Sequence, residues 1–269
     1  MEASRFAKAA FGGAFAATFV MSSAPAYADN LKGVFDDAAK GDIVFTMDRK
    51  GKNIGSHSIR YTPLDDGTLQ VDVTIGIKVK FAFITAYRYE HRNREIWSAD
   101  GETLLAIDVE TNNNGKSITI SGKRDGEVFR MTDEDGITRD LEGPVMPTSY
   151  WNAGILSADA VVLNTQKGVV EDAFFDLKDQ KISSIPNGPQ LAAELYEVKG
   201  DKLNNIFVDY TSADKCWVGL EFFPPKQDVK ISYTLTSYFE EKRPELKAFP
   251  PIAACMDVAS APLTAGRLS

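Results

Sequence analysis

Cysteine and histidine are scarce in this chain, two of each in 269 residues. Two histidines, with no HExxH, no CxxC and no closely spaced His pair, do not supply the three or four convergent ligands of a metal site. No metal and no cofactor is therefore expected. No serine sits in a Gly-x-Ser-x-Gly elbow, which removes the usual signature of a serine hydrolase, and Gly-rich phosphate loops are missing too. Basic residues are outnumbered, 30 against 38 acidic ones. That balance argues against nucleic acid or anionic lipid headgroups as partners. Beyond the first residues there is no apolar run of 18 or more, so no integral membrane segment is expected in the mature chain.

What is present begins with an export signal. Arg5 and Lys8 precede an apolar run from Ala9 to Val20, and Ala26-Tyr27-Ala28 supplies small residues of the kind a signal peptidase reads. Cleavage after Ala28 is expected, with a periplasmic or secreted product. The mature part loses Glu2, Arg5 and Lys8, leaving 37 acidic and 28 basic residues. Both cysteines, Cys216 and Cys255, lie in it. An oxidising compartment makes a disulfide the default for such a pair. It would pin a proline-rich tail, residues 240–269, to the strand beside Cys216.

From Asp42 the pattern is that of strands. Ile43, Phe45 and Met47 alternate with polar residues, and a turn at Lys50 to Asn53 leads into a second run, as in a hairpin. Thr68 to Phe83 alternates most cleanly, through Val71, Val73, Ile75, Ile77, Val79 and Phe81, with Gly76 as the expected bend or bulge. Turn signals then recur at Asp100-Gly101, Asn114-Gly115, Asp125-Gly126 and Asp135-Gly136, each offering the positive backbone angle of a tight turn. Residues 143–152 interrupt the meander, with Thr148 or Ser149 as the expected cap of a short helix. Strands resume from Val161, and 240–269 reads as irregular. The expectation is one all-β domain over 29–239 of about a dozen mainly antiparallel strands, curved into an unclosed or partly closed barrel with a few short helices.

One stretch carries most of the functional signal. Read with period two, Tyr87, Tyr89, His91, Asn93, Glu95 and Trp97 share one strand face, and Arg88, Glu90, Arg92 and Arg94 share the other. An aromatic face with a few polar groups suits the wall of a concave site. Tyr150 and Trp151 join these six as candidate ligand-binding residues. The arginine face reads as solvated and paired with acids.

Several short motifs together resemble a bacterial family of exported β-rich proteins, the domain-of-unknown-function family numbered 6134. They are Gly55-Ser56-His57, the Tyr87 to Trp97 stretch, the turn Thr111 to Gly115, Pro147 to Asn152, Val198-x-Gly200 and Ile231-x-Tyr233-x-Leu235. The resemblance covers roughly Asp42 to Leu235 and implies an exported β protein. In overall shape alone the reading is similar to the periplasmic carriers of outer-membrane lipoproteins, whose half-barrels hold acyl chains. The leading expectation is a non-enzymatic binder or carrier of an apolar or amphipathic, lipid-like small molecule. The alternatives are an envelope glycan or ester hydrolase using Glu95 and His91, and an envelope scaffold or assembly partner.

Overall fold

The computed structural model describes residues 31–260 except 82–83, 226–227 and 241. The expected signal segment lies outside the described residues.

Strands dominate. In chain order they are β1 (Ile43–Arg49), β2 (Lys52–Pro63), β3 (Leu69–Phe81), β4 (Ile84–Trp97), β5 (Leu104–Asn113), β6 (Lys116–Asp125), β7 (Val128–Thr132), β8 (Thr138–Glu142), β9 (Val145–Pro147), β10 (Val161–Asn164), β11 (Val169–Glu171), β12 (Phe174–Ser184), β13 (Gln190–Lys199), β14 (Ile206–Thr211), β15 (Trp217–Phe222) and β16 (Ile231–Tyr238). Thirteen form one curved antiparallel sheet in the order β12-β13-β14-β15-β16-β1-β2-β3-β4-β5-β6-β7-β8. Its ends, β12 and β8, do not pair, so the barrel stays open. The expected all-β, mainly antiparallel, unclosed architecture is what the chain adopts.

Two local meanders make this sheet, β1 to β8 and β12 to β16, and they join where β1 pairs with β16. β16 runs beside β1 over seven positions, but meets β15 only at Glu221 with Ser232 and Phe222 with Ile231. The sheet therefore splays between β15 and β16. The predicted turns hold: Gly101, Gly115, Gly126 and Gly136 all take positive φ, and Asn114 does so beside Gly115.

The concave face buries the alternating residues. Phe45, Ile59, Val71, Trp97, Ile107, Phe129 and Trp217 belong to one apolar cluster. A second sheet, β11-β10-β9, contributes Val145, Met146, Val162 and Leu163 to the same cluster. It acts as a plug beneath the larger one. Met47, Ile54, Ile75, Ile77, Tyr89 and Ile231 form a second, smaller cluster.

Three local expectations are corrected. Gly76 is not a bulge: the register of β3 with β2 and β4 runs through it, and the β3–β4 shift falls between Val79 and Lys80. Gly76 is instead a contact point. A Cβ there would lie 2.8 Å from Phe35 Cδ1, on the one-turn helix α1 (Val34–Asp37). Next, the cap of the short 3-10 turn Ala153–Leu156 is Asn152, whose side chain accepts from the Gly154 amide at 2.9 Å. Thr148 and Ser149 are buried and point elsewhere. Finally, the proline-rich tail is ordered as a 3-10 turn, Pro244–Ala248, and a helix α2, Pro250–Ser260. Prolines at a helix start lose nothing, because the first amides have no intrahelical partner. Leu246, Phe249, Ile252 and Met256 lie in the main core, and Cys255 is bonded to Cys216.

Candidate functional site

β4 runs from the core to the open end of the half-barrel, and its concave face changes character on the way. Trp97 to Tyr87 spans about 33 Å at strand rise.

At the core end stands Glu95, fully buried. Its Oε2 accepts from the indole N–H of Trp97 at 2.8 Å and of Trp151 at 2.9 Å, and its Oε1 accepts from the Asn93 amide at 2.6 Å. The Ser149 side chain also hydrogen-bonds this carboxyl. The two indoles meet edge to face at 5.3 Å, and Tyr61 packs on Trp151 at 5.5 Å. Burial pushes the Glu95 carboxyl above its usual range, and the four donors pull it back. Asn93, Glu95, Trp97 and Trp151 thus form a closed polar knot inside the core.

His91 comes next. Its Nδ1 lies 2.8 Å from Thr111 Oγ1, and its ring stacks on Tyr89 at 6.2 Å. Burial pushes it down to about 3, so it is neutral. His91 and Glu95 are four residues apart on one strand, about 13 Å between backbones. Asn93 stands between them. They do not form an acid–base pair.

The open end holds a partly open cavity of about 170 Å³. Tyr87, Tyr89 and Tyr150 line it, together with Ile75 and Ile77 of β3. Tyr87 donates to Asn113 Oδ1 at 3.0 Å. Tyr150 is held at φ 62°, a left-handed conformation that a bulky residue rarely takes, and its carbonyl accepts from the Tyr210 hydroxyl at 2.7 Å. Of the eight residues singled out from the sequence, these three tyrosines reach the cavity; His91, Asn93, Glu95, Trp97 and Trp151 do not line it.

The far wall was not legible as a site. It is made by Ile206, Leu220, Phe222 and Tyr233, from the splayed β14–β16 side, and by His57 of β2. His57 is 3% exposed, and among the described residues neither ring nitrogen has a hydrogen-bond partner. Trp217, Tyr233 and Phe45 surround its ring at 5.2, 5.6 and 6.4 Å. Desolvation pushes it to about 3, with His91 adding a smaller push the same way. The two histidines stand in one row across three strands, with Ile75 between them. Local sequence explains the position of His57. Gly55 lets β2 press against β3, since a Cβ there would lie 2.0 Å from the Gly76 carbonyl oxygen. The signals that could have found this wall were Gly55-x-His57 and Ile231-x-Tyr233, both visible as motifs.

A family model described as "Domain of unknown function (DUF6134)" matches residues 45–236. No curated protein matches the chain. Among solved structures, it is similar to the crystal structure of a beta-barrel-like protein of domain of unknown function DUF1849 from Brucella abortus. The TM-score is 0.50 and the identity 10%, over 72% of this chain and 94% of that one. At that identity the likeness speaks to fold alone.

Proposed function

The chain belongs to the DUF6134 family, and on that premise we propose that its open barrel is a binding module for a small apolar or amphipathic molecule, lipid-like in character, held at the mouth of the sheet. One observation carries this reading: a buried imidazole with no hydrogen-bond partner among the described residues lines a cavity whose other walls are mostly aliphatic and aromatic side chains. Buried polar groups are nearly always hydrogen-bonded, and an exception calls for a cause. A bound molecule is such a cause. Size agrees, since an apolar cavity of about 150 Å³ suffices for benzene. Export belongs to the same proposal. Its support is the Arg5 to Ala28 pattern and the Cys216–Cys255 bond.

Native mass spectrometry of the chain purified from its own source, followed by organic extraction, tests the binding. A co-purifying small molecule of defined mass is expected. A chain that carries nothing, and whose melting temperature no member of an apolar small-molecule panel raises, would overturn it.

A further inference from the structure

The cavity is polar in places yet, among the described residues that line it, carries no charged side chain. Its polar groups are the His57 imidazole, tyrosine hydroxyls, the Thr148 hydroxyl and the amides of Asn113 and Gln166. An anionic head group brought here would shed its hydration against neutral dipoles only. Desolvating a lone charge outweighs what such dipoles return. A neutral head group loses far less.

His57 defines what that head group offers. Three aromatic rings pack around the imidazole, and the backbone beneath it is fixed by the close approach of Gly55 to Gly76. Among the described residues the ring nitrogens therefore find no partner, and the residue lines the cavity. A neutral imidazole has one donor and one acceptor. A hydroxyl, itself both donor and acceptor, satisfies either nitrogen; a carbonyl satisfies the donor. The rest of the wall, Ile75, Ile77, Leu220 and Phe222, asks for an apolar body.

Resting on the binding proposed above, we infer that this cavity takes a small uncharged amphiphile, an apolar body of about benzene size or slightly more carrying one hydroxyl or carbonyl group hydrogen-bonded to His57. Burial pushes the His57 imidazole down to about 3. The strained backbone at Tyr150 sets part of the opposing wall before any ligand arrives.

The two histidines make the test direct, because an untagged chain labelled with ¹⁵N-histidine gives ring signals from His57 and His91 alone. Three matched probes are titrated: 4-ethylphenol, ethylbenzene and the 4-ethylbenzoate anion. 4-Ethylphenol is expected to move the His57 ring-nitrogen signals, leave the tautomer of His91 unchanged, and bind roughly tenfold more tightly than either other probe, the scale of one buried hydrogen bond. In His57→Phe the preference for 4-ethylphenol over ethylbenzene should vanish while ethylbenzene still binds. The wild-type titration decides the matter even if that variant does not fold. Equal or tighter binding of 4-ethylbenzoate, or 4-ethylphenol binding that leaves the His57 signals in place, overturns the ligand class and leaves the cavity reading standing. No binding by any of the three overturns both.

Discussion

Glu95 offers the sharpest test of how the half-barrel is held together. Replacing it by Leu keeps the volume and removes the acceptor. Two buried indole N–H groups, Trp97 and Trp151, then lose their partner, as do the Asn93 amide and the Ser149 hydroxyl. Each buried donor left unsatisfied costs about 1–3 kcal/mol, so the two indoles alone account for about 2–6 kcal/mol. Removing the carboxylate also relieves its own desolvation, which offsets part of that loss. A net destabilisation of about 3 kcal/mol is expected. Glu95→Gln behaves differently. Both indoles donate to the same oxygen, so the Gln carbonyl can serve both. Its amide then faces Asn93, whose own Oδ1 lacks a partner among the described residues and can accept once that side chain flips. Glu95→Gln should therefore remain within about 1 kcal/mol of the parent near pH 4. The pH dependence follows from the raised pKa of Glu95. The folded state holds this proton more tightly than the unfolded one. The parent is thus favoured below the unfolded pKa, and loses that increment as pH rises through the folded value. Gln does not titrate, so its stability relative to the parent should improve from pH 4 to pH 8. Urea unfolding followed by tryptophan fluorescence at both pH values measures all of this. A Leu variant as stable as the parent, or a Gln variant worse than Leu, would refute the reasoning.

Two further perturbations probe the frame. Reducing the Cys216–Cys255 bond, which spans 39 positions, should lower stability by about 4 kcal/mol and free the amides of α2 to exchange; an unchanged urea midpoint with reductant present would contradict it. Gly55→Ala places a methyl against the Gly76 carbonyl, where the nearest atoms are all backbone of Gly76 and Ile77 and no flexible side chain can yield, so a loss above about 2 kcal/mol is expected in thermal melts. An unaltered melting temperature would show that β2 and β3 are not pressed together there.

Much of the fold is legible along the chain because strand faces and tight turns are local properties. The period-two run Val71 to Ile77 and the glycines at 101, 115, 126 and 136 fix the N-terminal meander without reference to anything distant. The acid pairing of the arginine face also reads correctly, Arg88 with Glu90, Arg94 with Asp72 and Arg92 with Asp37. The face is not simply solvated, since Glu90 is buried and Arg92 is partly covered by the α1 segment. Gly76 misleads because a glycine forced by a contacting ring has the same letter as one at a bulge. α2 hides because its two prolines look like breakers, although they sit where a helix tolerates them. The site was half visible. One face of β4 holds both a structural knot and a cavity wall, and alternation cannot say where along the strand one becomes the other. Tyr233 joins that wall only through the β1–β16 pairing between distant parts of the chain, which no local pattern records, whereas His57 stands on β2, next to β3.

The joining of β1 to β16 also sets an order of assembly. Within each meander a strand finds its partner a short turn away, whereas Ile43 must find Tyr238, roughly two hundred residues later. Closing so long a loop costs about 5 kcal/mol of chain entropy, which no local contact returns in advance. The N-terminal meander can therefore form early, but with the edge of β1 unpaired. Phe45 and Met47, both wholly buried at the end, wait uncovered for the last strand of the chain. That strand arrives bound far more extensively to β1 than to β15, its neighbour in sequence. Synthesis of this chain thus passes through a long interval with an apolar strand edge exposed, and the hazard of pairing with another molecule is concentrated there.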